Sequence, residues 1–284
     1  MKFREIKTVV SGNPAQDGAG VKLVRVLGLR TVKDFDPFLM LDAFDSHNPE
    51  DYINGFPWHP HRGIETVTYL IEGCIEHGDS MGNKGTINDG CCQWMTAGSG
   101  IIHQEMPQAS PAMLGLQLWI NLPAKDKMTA PAYRDIRAQD IATIKEDGAE
   151  IKVISGQYKD TTAKMTGDYV KTLYLDVNLM PNKVWSLKTN PQDNMFLYIF
   201  SGDLLIDDQK AHAKTAALLT FGDNLAITAG EKGARFVLVA GQPLKEPVAW
   251  GGPIVMNTEE ELNTAFEELD NGAFIKENHP KNAL

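Results

Sequence analysis

Tyr69-Leu70-Ile71-Glu72-Gly73 returns as Tyr198-Ile199-Phe200-Ser201-Gly202, 129 positions on, and Met95-Thr96-Ala97-Gly98 returns as Ile227-Thr228-Ala229-Gly230, 132 positions on. Two echoes in the same order at nearly one spacing point to an internal duplication. In each copy an apolar run stops at a turn glycine, the pattern of hairpins in a small β-barrel. Beyond these echoes, alternating or β-branched runs recur at Val21 to Val26, Thr66 to Ile71, Gly115 to Ile120, Ile151 to Ile154, Thr172 to Val177, Phe196 to Phe200 and Phe236 to Ala240. The expected fold is all-β, two barrels in tandem over residues 1–135 and 136–284, parted in the charged stretch from Arg134 to Glu150. One short C-terminal helix is expected. Thr258 can N-cap it with Glu261 three residues on, Leu262, Ala265, Phe266 and Leu269 recur at helical spacing, and Gly272 can end it.

A chain of 284 residues, 43% apolar and 23% charged, can bury two cores of this size and is neither disordered, collagenous nor coiled coil. No run reaches the roughly 18 apolar residues of a spanning helix, and the first residues hold no apolar stretch of signal-peptide length. A cytoplasmic protein with no membrane association is expected, nuclear also if the source is a eukaryote. The net charge of −10 argues against direct nucleic-acid binding. Cys74, Cys91 and Cys92 are an odd count without zinc-type spacing and read as small thiols in a reducing compartment.

The densest group of metal-competent side chains is His59-Pro60-His61-Arg62-Gly63-Ile64-Glu65, followed later by His103-Gln104-Glu105. On a strand, residues two apart share a face, so His59 converges with His61 and His103 with Glu105. Two such strands facing each other across a barrel would gather three imidazoles and a carboxylate. That set suits iron, manganese, nickel, copper or zinc and includes no thiolate. Glu65 shares the parity of His59 and His61 and is a further candidate. A lone His-x-His is more often a core or surface feature, and it is the second pair in the same repeat that points to a metal. His47, His77, His212 and His279 lack partners at ligand spacing and read as exposed or locally hydrogen-bonded. The repeat offsets carry the four positions to Lys188, Asn190, Arg235 and Val237, which make no ligand set. Metal is therefore expected in the N-terminal barrel alone, the C-terminal one serving packing, docking or a partner. Phe56, Trp58, Gln93, Met95, Gln117 and Trp119, from the same strands, are the expected pocket wall. Structural zinc sites lean on cysteine, and a sugar site would show polar readers instead of Met, Trp and Phe.

Longer strings carry a resemblance. Asp36-Pro37-Phe38-Leu39-Met40-Leu41-Asp42, Gly55-Phe56-Pro57-Trp58-His59-Pro60-His61-Arg62-Gly63, Gln93-Trp94-Met95-Thr96-Ala97-Gly98, His103-Gln104-Glu105-Met106-Pro107, Gly115-Leu116-Gln117-Leu118-Trp119 and Gly252-Pro253-Ile254-Val255-Met256-Asn257-Thr258 resemble the pirin family of the cupin superfamily. The general cupin pattern would place its glutamate at Glu65 and a proline at Thr96. Pirins use the acid two residues after the third histidine. The resemblance thus implies a bicupin, two facing cupin β-barrels (double-stranded β-helices), with Fe(II) on His59, His61, His103 and Glu105. It implies quercetin 2,3-dioxygenase activity, taking a flavonol and O2 and releasing carbon monoxide, with Glu105 as ligand and proton acceptor. The alternative it implies is a redox-sensing transcriptional co-regulator that binds a protein partner. Zinc, manganese, nickel or copper could load the same donors. A monomer is expected, because two barrels in one chain bury against each other what single barrels bury by dimerising.

Overall fold

A computed structural model describes residues 1–276, and it is all-β apart from the helix Glu259–Asp270 and short helical turns such as Val32–Phe35. All seven expected runs are strands. The chain divides into two units: one comprises residues 14–30, 38–138 and 244–276, the other Met1–Asn13, Thr31–Pro37 and Gln139–Pro243. We call them the histidine unit and the apolar unit, for what they bury.

The histidine unit has a seven-stranded antiparallel sheet in the order Ala132–Ile136, Cys92–Thr96, Ile64–Glu72, Met113–Asn121, Phe38–Ser46, Val21–Leu27, Asn13–Asp17. A four-stranded sheet runs Phe56–His61, Ile101–Pro107, Ile75–Asp79, Lys84–Ile87. The apolar unit repeats this order as Ile6–Ser11, Thr215–Leu219, Asn194–Ile206, Asn224–Gly241, Thr172–Leu179, Ala149–Ser155, Ala142–Glu146. Its long strand Asn224–Gly241 does the work of two. The first part pairs with Val184–Lys188 and the far end of Asn194–Ile206, as Ile101–Pro107 pairs with Phe56–His61 and Ile75–Asp79. The second part pairs with Thr172–Leu179, as Met113–Asn121 pairs with Phe38–Ser46.

This topology keeps one echo and corrects the other. Gly73 directly follows Ile64–Glu72, Gly202 lies within the equivalent strand Asn194–Ile206, and both take positive φ; a Cβ on Gly202 would lie 2.0 Å from the Gly233 carbonyl. Met95 instead lies on Cys92–Thr96, whose counterpart is Thr215–Leu219, whereas Ile227 lies on Asn224–Gly241. The 132-residue echo therefore joins non-equivalent strands.

The division at 135/136 also needs correction. The N-terminal strand Ile6–Ser11 pairs with Thr215–Leu219 and belongs to the apolar unit, and the C-terminal segment belongs to the histidine unit. The first completes a sheet edge and the second joins through the bridge of Arg62 with Ile254, in both cases with a partner far away in sequence, which local periodicity cannot report. The stretch from Arg134 to Glu150, expected as a boundary, holds most of one strand and all of another.

The C-terminal helix forms as the sequence dictates. Thr258 Oγ1 accepts from the Glu261 amide at 3.1 Å while the Glu261 carboxylate accepts from the Thr258 amide at 3.1 Å, a capping box worth about 1 kcal/mol. Leu262 and Ala265 pack on Ala249, Ile254, Met256 and Phe274. Among the described residues no helix is long and apolar enough to cross a membrane. All three cysteines are free thiols, and burial pushes that of Cys92 up.

Candidate metal centre

His59 and His103 are direct partners across the antiparallel pair Phe56–His61 and Ile101–Pro107, with His61 opposite Ile101. The two histidine-bearing strands are thus neighbours in one sheet and not opposite walls of a barrel. Between the His103–His59 and Glu105–Phe56 pairs the register slips, two steps on one strand meeting three on the other. Such a bulge re-aims side chains, and it turns Phe56 to the side of the histidines while Trp58 points away. The outcome is a cluster in which one nitrogen each of His59, His61 and His103 lie within 4.8 Å of one another.

Backbone carbonyls set two of the rings. Nδ1 of His59 is 2.8 Å from the Pro57 carbonyl, and Nδ1 of His61 is 3.0 Å from the Pro253 carbonyl. A carbonyl can only accept, so each Nδ1 carries the proton and each Nε2 presents a lone pair to the centre. Those two Nε2 atoms are 3.1 Å apart. Burial, then the neighbouring His59, pushes the pKa of His61 down to about 3 against the opposing pull of the Pro253 carbonyl. Burial, followed by His61, His59 and His77, holds His103 well below the usual imidazole range. Neutral imidazoles are the form a metal takes. Neither ring nitrogen of the buried His103 has a hydrogen-bond partner among the described residues. Lone pairs converging on one point and an unpartnered buried ring are costly on their own, and a divalent first-row ion would relieve both, so the donor set fits such a metal.

Glu105 lies two residues past His103 on the inner face of the same strand, 2% exposed and outside the three-histidine cluster. Oε1 accepts from the Thr68 hydroxyl at 3.1 Å and Oε2 from the Gln117 amide at 2.8 Å. Glu65, the alternative acid, is buried elsewhere and accepts from the Thr96 hydroxyl at 2.7 Å.

The segment Gly252 to Thr258, which only its likeness singles out in the sequence, braces the centre. Pro253 fixes His61, and the Val255 amide donates to the Arg62 carbonyl at 3.1 Å. Lys127, buried, donates to the carbonyls of Gly63 and Val255, each at 2.8 Å, and to Asn121 Oδ1 at 2.7 Å. Burial pushes its pKa down to about 7, while three acceptors match the three protons of an ammonium. Gly63 has φ +76°, and a Cβ there would meet the Val255 carbonyl at 1.9 Å, so only glycine allows this approach.

A cavity of about 480 Å³ opens onto His59 and His61, with Met40, Phe56, Gln117, Trp119 and Trp250 in its wall. That is the size range of small-molecule sites. Trp119 packs edge-on against His61, centroids 4.9 Å apart, and lies 5.8 Å from Trp250. At the rim Arg25 is clamped by Asp42 at 2.9 and 2.8 Å and by Asp17 at 2.7 Å.

Three of the six expected wall residues, Phe56, Gln117 and Trp119, line this cavity. Trp58 is 55% exposed and lines a separate groove with Gln104 and Met106, since it alternates with His59. Gln93 and Met95 are buried away from the cavity, Gln93 donating to the Tyr133 hydroxyl at 3.2 Å. His47 and His212 are exposed, His47 bonded to the distant Pro111 carbonyl and His212 locally to Asp203. His279 lies outside the described residues. His77 departs from expectation: it is buried, its ring 5.3 Å from that of His103. Its one sequence signal is His77-Gly78-Asp79, the same His-x-acid spacing as His103 and Glu105.

Residues 20–120 match the Pirin family profile, and residues 174–275 match that of the Pirin C-terminal cupin domain. A Caulobacter vibrioides protein named Pirin-like protein is 43% identical over 277 residues, 96% of this chain and 100% of its own length. The Homo sapiens protein named Pirin is 40% identical over 276 residues, 94% of this chain and 93% of its own. Among solved structures, a quercetin 2,3-dioxygenase from Acinetobacter baumannii superposes with a TM-score of 0.87 at 31% identity, covering 96% of this chain and 99% of that one. With both units matched, the chain belongs to the pirin family and has its two-cupin fold.

Proposed function

We propose that the protein is an Fe(II)-dependent dioxygenase that carries out 2,3-dioxygenation of a flavonol such as quercetin, adding both atoms of O2, breaking the C2–C3 and C3–C4 bonds to release C3 as carbon monoxide and leaving a depside. The metal ligands in this reading are His59, His61, His103 and Glu105. The observation that carries it is the pairing of three convergent imidazoles with an adjoining small-molecule cavity walled by aromatic side chains. Likeness to the Acinetobacter baumannii quercetin 2,3-dioxygenase supports it.

Iron bound here supplies Lewis acidity toward the flavonol 3-hydroxyl and the means to engage O2. The chain's residues do the rest. Trp119, Phe56 and Trp250 offer flat faces to a planar ligand and keep water from it. Glu105 accepts the 3-hydroxyl proton. Thr68 and Gln117 aim its carboxylate, each oxygen keeping a lone pair beyond the bond it accepts. Gln117 lines the cavity while bonding Glu105, which couples ligand seating to the position of the base.

The test is flavonol-dependent oxygen uptake and carbon monoxide release by protein stripped of metal and reloaded anaerobically with Fe(II). Turnover that falls at least about 100-fold in His61→Ala supports the reading. Iron bound at one per chain with no oxygen uptake overturns it and favours a metal-dependent regulator that binds a protein partner.

A further inference from the structure

The three histidines are fastened unequally. His59 and His61 each have a carbonyl on Nδ1, whereas His103 has no hydrogen bond to set its ring plane among the described residues. The rings of His59 and His61 lie 4.3 and 5.0 Å from it, and the further ring against it is His77, buried with its centroid 5.3 Å away at an interplanar angle of 53°. We propose that His77 is a positioning residue for His103, a plate that holds the ring in its metal-binding orientation; this rests on the reading of the three histidines as ligands.

The plate is itself clamped. His77 stacks on Tyr133, centroids 4.5 Å apart at 27°, and its Nε2 is 3.7 Å from the Asp79 carboxylate. Tyr133 cannot turn freely, because its hydroxyl donates to Asp135 at 2.6 Å and accepts from Gln93 at 3.2 Å. Gly85, directly across the sheet from His77, makes the room: a Cβ there would lie 2.1 Å from the Tyr133 oxygen. Rings held on both sides lose the freedom that would blur a ligand's geometry.

The apolar unit is an internal control. His77 pairs with Glu105 as Leu204 pairs with Ala229, and Gly85 faces His77 as Ala211 faces Leu204. Where the ligand positions carry no imidazole, neither does the plate position, and the glycine that admits Tyr133 becomes a buried alanine. Packing alone therefore asks only for an aliphatic residue there.

The test is anaerobic titration of the metal-free full chain with Co(II), read by visible d–d absorbance, for wild type, His77→Ala, His77→Phe and Gly85→Ala. Thermal unfolding of each metal-free variant monitors the fold. Wild type should take one Co(II) per chain. His77→Ala should bind about tenfold more weakly with shifted bands, and His77→Phe, which keeps a flat ring, should return to within about threefold of wild type. Gly85→Ala, which displaces Tyr133, should weaken binding in the same direction even if His77→Ala fails to fold. Unchanged affinity and bands in His77→Ala would overturn the proposal. So would His77→Phe binding as weakly as His77→Ala, which would assign the effect to an imidazole nitrogen. Failure of wild type to bind Co(II) would instead strike the metal reading itself, and the proposal with it.

Discussion

The strand pair Phe56–His61 with Ile101–Pro107 and the pair Val184–Lys188 with Asn224–Gly241 occupy the same place in the two units and bury opposite chemistry. Register equates His59 and His103 with Trp185 and Ile227, and His61 with Leu187. Glu105 and His77 correspond to Ala229 and Leu204. In the apolar unit these side chains join one core with Leu175, Leu197, Phe236 and Leu238, most of them fully buried. The histidine unit buries Thr68, His77, Asp79, Gln93, His103 and Glu105 instead. One topology thus serves either as a filled core or as a polar site, and the inward positions of its strands decide which. A filled core stabilises by about 25 cal/mol per Å² of apolar surface buried. Buried polar groups give up that contribution and need partners, which here are carbonyls, a hydroxyl, an amide and, in the proposed function, a metal.

The largest break in the comparison comes from exchanging loss of function for loss of stability. His103→Ala should take metal content, measured by elemental analysis, from one per chain to near zero. Ile227→Ala at the equivalent position should leave metal content unchanged and lower unfolding free energy by about 2–5 kcal/mol in denaturant titration. Acid should separate the units next. Because the folded pKa of His61 is about 3 and that of His103 is well below the usual value, the unfolded chain takes up protons first as pH falls below about 6.5. Stability of the metal-free protein is whole above that pH and is lost toward pH 3, by up to about 1.4 kcal/mol per pH unit for each buried imidazole. Hydrogen exchange should therefore accelerate in Ile101–Pro107 before Asn224–Gly241; the reverse order would break the account. Lys127→Met, which strands three buried acceptors beside Gly63, should lower the melting temperature by an amount equivalent to about 1–3 kcal/mol. Smallest of all, Lys188→Ala and Asn190→Ala, exposed in the apolar unit, should shift neither metal content nor stability measurably.

The sequence makes some of this legible and hides the rest for physical reasons. Strands and the helix cap announce themselves because periodicity and capping are local: Thr258 and Glu261 bond each other within one turn. The three histidines are legible because His-x-His on a strand shares a face. Trp58 is misplaced by the same rule, since it alternates with His59, and Phe56 reaches the histidine side only through a bulge no pattern marks. The exchange of terminal segments between units rests on pairings such as Ile6 with Leu219, too distant for any window to register. His77 is hidden because its relation to His103 runs across the sheet and through a ring, and Gly85 gives no hint that it makes room for Tyr133.

The most direct test of the central claim, that one unit holds the metal and the other is filled, is anomalous diffraction at the iron edge from crystals of the Fe(II)-loaded protein. The account predicts a single strong peak per chain, bounded by His59, His61 and His103, and none among Trp185, Leu187 and Ile227. A peak in the apolar unit, or full iron content with no peak at the three histidines, would contradict it.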